Sequence, residues 1–190
     1  MITFFVVAGA ILPLIGISFY MKEMLTGKVK PNKMTWLVWS VAPLIATFAA
    51  LSSGVTLAVV PVFMAGFGPL IVLILSFFRK EAYWKIKKLD YGCGALSALA
   101  LMLWYMTKDP VIAIVFSIAC DMLAFIPTLI KSWKYPETED SIVYATYLLS
   151  ACTSFPIAKR WDFPTLAYPV YLIISSLLLV LLIERRRLFK

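Results

Sequence analysis

Long apolar runs separated by short charged segments dominate the chain. The runs are Ile2–Met21, Thr35–Leu51, Thr56–Phe78, Leu89–Met106, Pro110–Ile130, Ser141–Ile157 and Thr165–Ile183. A helix needs about 20 mostly apolar residues to cross a bilayer. The pattern therefore predicts an all-α polytopic membrane protein with seven transmembrane helices. The first run has no basic segment before it and no small-residue cleavage site, so we interpret it as a retained span and not a signal peptide.

The sixth run is the most polar of the seven. It carries serine, threonine and tyrosine at many positions, including Tyr144, Tyr147 and Ser154. Polar groups are costly in lipid. We therefore expect neighbouring helices to shield this span.

Basic residues alternate between the two sides of the predicted spans. With the N-terminus outside, only Lys108, Lys159 and Arg160 of the 18 Lys and Arg residues lie in outer segments. Inner segments of membrane proteins carry an excess of Lys and Arg. The bias predicts an N-terminus outside and a C-terminus inside, and it fits an odd number of spans.

Composition supports a membrane protein and argues against other classes. Apolar residues make up 62% and charged residues 15%, against about 45–50% and 25% in soluble domains. A net charge of +8 first suggests nucleic acid, but the charges lie between apolar runs, where a membrane surface explains them better. We therefore expect no nucleic-acid partner. The basic segment 79–90 and the tail after Glu184 are predicted to contact an anionic inner leaflet.

Residues suited to metal binding or catalysis are scarce. The chain has no histidine, and its three cysteines lie within apolar runs without paired spacing. We interpret the cysteines as packing residues. The sequence predicts no metal, no cofactor and no enzyme activity.

Weak internal similarities relate the two halves of the chain. Pro31 introduces the second span and Pro136 the sixth, and eight residues after each proline stands an aromatic residue, Trp39 or Tyr144. These similarities predict a first three-helix repeat in residues 1–80, a linker with the fourth span in 81–109, and a second repeat in 110–190. A linker of one span gives both repeats the same orientation. Parallel repeats of this kind build transporters with a substrate site between the halves near the midplane.

Aromatic residues fall on one face of several spans when positions are spaced by about 100° per residue. We predict that these residues bind solute, because rings offer flat apolar contact and their polar atoms can orient a ligand. They are Trp36, Trp39, Tyr144, Tyr147, Tyr168 and Tyr171. The alternative for Trp36 and Trp39 is an interfacial aromatic belt.

Asp121 is the one acidic residue well inside a predicted span. An ionised carboxylate there costs several kcal/mol unless it faces water, a cation or donors. We predict that Asp121 titrates during transport or faces a cation. The alternative is a structural carboxyl bonded to a neighbouring helix.

Prolines recur inside the spans. Each removes a backbone hydrogen bond and loosens its helix. We predict that four of them act as hinges, namely Pro43, Pro61, Pro127 and Pro169.

The arrangement of three spans, a linker span and three spans resembles the SWEET and PQ-loop superfamily of small transporters. The chain is also similar to a group of uncharacterised bacterial membrane proteins. The similarity rests on Lys30, Pro31, Thr35, Trp36 and Trp39, on the stretch from Ile126 to Lys131, and on the stretch from Pro136 to Glu139. The resemblance implies two three-helix bundles, each with its third span packed between the first two. It also implies a central cavity lined by spans 2, 3, 6 and 7, and a prokaryotic cytoplasmic membrane.

Together these features favour a facilitator or proton-coupled carrier for a small neutral or cationic solute, working by alternating access. The alternative is a receptor or scaffold that uses the same fold without transport. The partners we expect are a small-molecule solute and the lipid bilayer. The sequence leaves open whether the chain forms a homo-oligomer.

Overall fold

A computed structural model describes residues 1–78 and 109–188, with a few single positions between them. The helices are α1 (Ile2–Leu25), α2 (Lys33–Ser52), α3 (Val60–Phe77), α4 (Pro110–Lys134), α5 (Ser141–Cys152), α6 (Ser154–Ile157) and α7 (Phe163–Leu188). Short 3-10 turns cover Leu57–Val59 and Pro136–Thr138, and the described part of the chain contains no strand. The predicted fourth span, Leu89–Met106, and the basic segment 79–90 lie almost wholly outside the described residues.

Five helical segments are long and apolar enough to cross a membrane. They are Ile2–Leu25, Lys33–Ser52, Leu57–Phe77, Pro110–Lys134 and Phe163–Arg185, and Ser141–Ile157 is a shorter apolar helix. The all-α prediction is therefore confirmed for the described residues, and the five long apolar helices support a membrane protein, whereas the predicted count of seven spans stays a prediction. Each predicted run inside the described residues coincides with one of these segments, although the sixth is interrupted at Thr153, between α5 and α6.

An Asn or Asp side chain caps the start of four helices. Asn32 Oδ1 accepts from the Met34 backbone N–H at 3.1 Å, and Asp109 caps α4 in the same way. Asp140 accepts from the Ile142 N–H at 2.8 Å, and Asp162 accepts from the Thr165 N–H at 3.2 Å. Caps satisfy backbone donors that the first turn leaves unpaired. These residues therefore fix where α2, α4, α5 and α7 begin.

The long helices and α5 pack as a ring, in the order α1, α3, α2, α4, α7, α5 and back to α1. In the set α1–α3, the third helix lies between the first two. In the set α4, α5 and α7, the last helix again lies between the other two. The sets meet where α1 contacts α5 and where α2 contacts α4. Exchanging α1 with α4, α2 with α5 and α3 with α7 therefore reproduces the same pattern of neighbours.

Two glycines allow close approach of helices in this ring. A Cβ at Gly16 would collide with Thr146 Oγ1 and would lie 3.0 Å from the Val143 Cα, where α1 meets α5. A Cβ at Gly66 would lie 2.9 Å from the Ser40 carbonyl oxygen, where α3 meets α2. A larger residue at either position must push the helices apart.

The polar residues of the sixth predicted span are buried against other helices. Ser150 donates to the Gly9 carbonyl of α1 at 2.6 Å. Ser154 donates to the Ala58 carbonyl in the turn before α3 at 3.1 Å. These bonds satisfy the hydroxyls away from lipid. They give the expected shielding and tie α5 and α6 to the other set of helices.

Candidate functional site

A cavity of about 50 Å³ lies inside the ring, between α2, α3, α4, α5 and α7. A water molecule needs at least about 10–15 Å³ of such space, so the cavity has room for a few waters or a compact group. Its aromatic lining residues are Trp36, Trp39, Phe125, Tyr144, Tyr147 and Tyr171. Asp121 is the one charged lining residue among those the structure describes.

The structure brings most of the predicted solute-binding residues to this one cavity. The predicted residues that line it are Trp36, Trp39, Tyr144, Tyr147, Tyr171 and Asp121. Tyr168 is buried beside the cavity, with its ring edge-on to that of Tyr171 at 5.7 Å between centroids. Trp36 is buried inside the protein, so it lies away from the lipid-facing surface where an aromatic belt would be.

The predicted hinge prolines have different positions. Pro43 lies inside α2 and lines the cavity. Pro127 and Pro169 lie inside α4 and α7. Pro61 stands in the first turn of α3, where the missing N–H breaks no helical hydrogen bond. Pro61 therefore does not weaken the interior of α3, which Pro69 interrupts instead.

An aromatic row runs from α1 through α2 to α5. The Tyr20 and Trp36 centroids are 4.8 Å apart, those of Trp36 and Trp39 5.6 Å, and those of Trp39 and Tyr144 6.2 Å. The last two pairs meet edge to face, a favoured arrangement of rings. The row crosses between the two sets of helices, and Trp36, Trp39 and Tyr144 form one wall of the cavity.

Several hydroxyls of the lining, two of them on tyrosines, donate to protein acceptors. Tyr147 donates to the Met64 carbonyl at 3.3 Å, and Tyr144 donates to Glu139 Oε2 at 3.0 Å. Ser175 donates to the Leu172 carbonyl at 3.3 Å. Since these donors are occupied, the wall presents mainly ring surfaces to a ligand.

Asp121 lies near the middle of α4 and is only 4% exposed. The hydroxyls of Tyr168 and Tyr171 face its carboxyl group. Asp121 Oδ1 and the Tyr168 hydroxyl complete no hydrogen bond of standard geometry among the described residues. A buried polar group without a partner is costly. A ligand that donates a hydrogen bond to Asp121 Oδ1 would therefore be favoured here.

A buried ion pair lies at the end of the ring that holds the loops 26–32 and 135–140, here called the Lys131 end. Lys131 Nζ lies 2.6 Å from Glu139 Oε1, and both side chains are almost fully buried. Lys131 also donates to the Lys30 carbonyl at 2.5 Å, which joins α4 to the loop before α2. Glu139 accepts from Tyr144, a lining residue. The pair therefore links the cavity wall to the contact between the two sets.

This network was not among the predictions from the sequence. The bias of basic residues placed Lys131 at the inner surface, whereas the structure buries its side chain. The sequence does contain a signal for this ion pair. Lys131 is one of two basic residues in α4, and the acidic stretch Glu137–Asp140 follows it closely. Arg185 of the tail likewise packs on the protein, with its guanidinium 4.5 Å from the Trp133 ring centroid.

The opposite end, here called the Arg160 end, is joined by exposed groups. Arg160 donates to the Ser53 carbonyl at 2.6 Å and lies 3.2 Å from Asp162, with its side chain 55% exposed. Hydrogen bonding from Thr165 lowers the pKa of Asp162 below its usual range, and Arg160 adds to the effect. At the Lys131 end, partial burial instead raises the pKa of the cap residue Asp140.

The described residues contain no cluster of three or more His, Cys, Asp or Glu able to hold a metal ion. Comparisons with known protein families, characterised proteins and solved structures gave no match. The class that fold and site define is a helical membrane protein with a ring of helices around a small aromatic cavity. Any narrower assignment depends on the geometry of that cavity and of the two ends.

Proposed function

We propose that this protein is a seven-span transporter of a small solute, built from two parallel three-helix bundles and a linker span. It works by alternating access, with its N-terminus outside and its C-terminus inside a prokaryotic cytoplasmic membrane. The observation that carries the proposal is a cavity between two sets of helices with the same packing order. The same order supports a relation to the SWEET and PQ-loop superfamily.

The position of the cavity favours transport. Its wall takes residues from both sets, so a change in how the sets meet changes the cavity. The sets touch at both ends, through Lys131 and Lys30 at one and through Arg160 and Ser53 at the other. In the proposed mechanism a solute enters when the contacts at one end separate. Alternating access requires the ends to separate in turn.

The Lys131 network supplies a route from the cavity to one end. A solute that displaces the Tyr144 ring moves a hydroxyl that binds Glu139, the partner of Lys131. A ligand shifts an equilibrium only by its difference in affinity for the two states. In this mechanism the difference in solute affinity comes from the position of Tyr144. The Lys131 end responds to it, and this end is the predicted inner side.

A disulfide lock at the Lys131 end tests the proposal. The Lys30 N–H donates to the Thr138 carbonyl at 3.3 Å, so Lys30→Cys with Thr138→Cys places two thiols across the contact between the sets. The protein, with its three native cysteines replaced, is reconstituted in vesicles and offered a panel of sugars, amino acids and amines. We expect faster entry of at least one solute than into empty vesicles, stopped by oxidation and restored by reduction.

A control pair lies within one set. Glu23 and Lys28 are joined by a backbone hydrogen bond of 3.0 Å at the end of α1, so Glu23→Cys with Lys28→Cys forms a disulfide that does not bridge the sets. We expect this pair to leave entry unchanged on oxidation. Unchanged entry with the oxidised Lys30–Thr138 lock, or no accelerated solute in the panel, would overturn transport and favour the receptor or scaffold alternative.

A further inference from the structure

Among the described residues, the wall of the cavity combines aromatic rings with a single carboxylate. We propose that its ligand is a small organic ammonium cation, bound against the rings of Trp36, Trp39 and Tyr171 with its charge facing Asp121. The inference rests on the proposed function in one respect, namely that the solute occupies this cavity. It goes further because it chooses cations over sugars and other neutral solutes.

Charge is the first argument. Asp121 is 4% exposed, and an ionised carboxylate at that depth needs a positive partner or several donors. None of the described residues lining the cavity is Lys or Arg. The buried amine of Lys131 is already 2.6 Å from Glu139. The hydroxyls of Tyr168 and Tyr171 face the carboxyl group but carry no positive charge. A cationic ligand supplies the countercharge that the described lining lacks.

The rings are the second argument. A cation within about 6 Å of a ring centroid is attracted by the ring face, most strongly by Trp. Trp36 and Trp39 both line the cavity, with centroids 5.6 Å apart. An ammonium group between these rings and Asp121 gains from both kinds of contact.

Occupied hydroxyls are the third argument. A sugar needs many polar partners, because each buried hydroxyl without one is costly. Tyr144, Tyr147 and Ser175 already donate to protein acceptors. An alkylated ammonium carries few hydrogen-bond donors. Few of its polar groups therefore stay without a partner when it binds against this wall. The volume of about 50 Å³ favours a compact head group.

Binding to the purified full-length protein tests the proposal. The probes are tetramethylammonium, choline and 3,3-dimethylbutan-1-ol, a neutral molecule with nearly the shape of choline. Calorimetry and thermal unfolding measure affinity without requiring flux. We expect both cations to bind and to raise the unfolding temperature, and the neutral analogue to bind at least about tenfold more weakly, since tenfold is about 1.4 kcal/mol.

Two pairs of variants distinguish a loss of binding at the cavity from a general effect of the substitution on the protein. Asp121→Asn should weaken choline binding at least about tenfold, whereas Asp109→Asn should not, because Asn is an equally good helix cap and Asp109 is exposed. Trp39→Leu should weaken binding, whereas Trp161→Leu should not, because Trp161 is 72% exposed outside the cavity.

The outcomes distinguish this inference from the proposed function. Equal affinity for choline and its neutral analogue in the wild-type protein would overturn the cation assignment, whether or not any variant folds. Flux of neutral solutes without cation binding would overturn it too, while leaving transport intact. Cation binding that depends on Asp121, without flux in vesicles, would uphold this site and overturn transport.

Discussion

The two ends of the ring are held together by different chemistry. At the Lys131 end the contact between the sets is a hydrogen bond to the Lys30 carbonyl from Lys131, whose side chain is only 1% exposed and is paired with Glu139 of its own set. At the Arg160 end the contact is a hydrogen bond to the Ser53 carbonyl from an arginine side chain that is 55% exposed. Exposed charges interact weakly, at about 0–1 kcal/mol per pair, whereas hydrogen bonds made by buried charged groups contribute about 1.5–3 kcal/mol. We therefore propose that the Arg160 end is the one that opens more easily.

This difference gives the proposed cycle a direction. In that cycle the sets first separate at the Arg160 end, the predicted outer side. The proposed trigger for the Lys131 end is a solute that changes the position of Tyr144 and with it the environment of Glu139. Four changes to the protein or its solution test this difference between the two ends. Their expected effects on stability differ widely in size.

The largest effect should come from Lys131→Met. The change leaves the Glu139 carboxylate buried without its cation, and we expect a loss of about 3–5 kcal/mol in the free energy of unfolding. Denaturant unfolding in detergent measures it. The double variant Lys131→Met with Glu139→Gln should recover much of the loss, since no charge is then left unpaired. An equal loss in the double variant would contradict the account of this end.

Tyr144→Phe should have an intermediate effect. It removes the hydroxyl that donates to Glu139 Oε2 and keeps the ring in the cavity wall. We expect a cost of about 1–2 kcal/mol, because a buried acceptor loses its partner. The control is Tyr135→Phe, at a 45% exposed tyrosine outside the cavity. A larger effect at Tyr135 than at Tyr144 would contradict the link between the cavity and the Lys131 end.

Arg160→Met should be less costly. It removes the hydrogen bond to Ser53 and the contact with Asp162, both near solvent. We expect a loss of at most about 1 kcal/mol, decreasing further in high salt. Unfolding measured at two salt concentrations checks both points. A loss as large as that of Lys131→Met would remove the contrast between the ends.

The smallest effects should come from acidification. Asp162 has a lowered pKa in the folded protein, so its contribution is present above its unfolded pKa of about 3.9 and lost as pH falls through the lower folded value. Asp140 has a raised pKa, so protonation as pH falls through that value relieves the cost of burying its charge. Proteolysis between pH 6 and pH 3 should therefore increase in the loop 158–162 before it increases in the loop 135–140.

A control for that experiment is Asp162→Asn, which keeps a cap at the start of α7 but has no charge to titrate. The variant should show a smaller pH dependence in the loop 158–162. An unchanged pH dependence would mean that another group titrates at the Arg160 end.

Much of the fold was predictable because a helix that crosses a membrane needs a long run of apolar residues, which is visible in the sequence. Each apolar run inside the described residues is helical, with a break in the sixth run at Thr153. The aromatic wall was predictable in part, because residues at helical spacing share a face whatever the partner helix is. The rotation of α7 was not, and it places Tyr171 in the cavity wall but Tyr168 behind it.

The Lys131 network was not predictable from the sequence, because burial there depends on segments distant along the chain. Lys131 near the end of an apolar run has the pattern of an inner-surface lysine. Its burial requires the Lys30 carbonyl and the Glu139 carboxylate, contributed by two different loops. The sequence pattern of α4 alone does not show that these two loops come together around Lys131.

Pulsed EPR distances at both ends of the protein in lipid would test the central claim most directly. Spin labels at Ser52 and Lys159 report on the Arg160 end, and labels at Lys28 and Glu137 report on the Lys131 end, all at exposed positions. The account predicts two distances at each end, with choline or another bound solute lengthening one end as the other shortens. A single unchanging distance at both ends, with and without solute, would contradict alternating access.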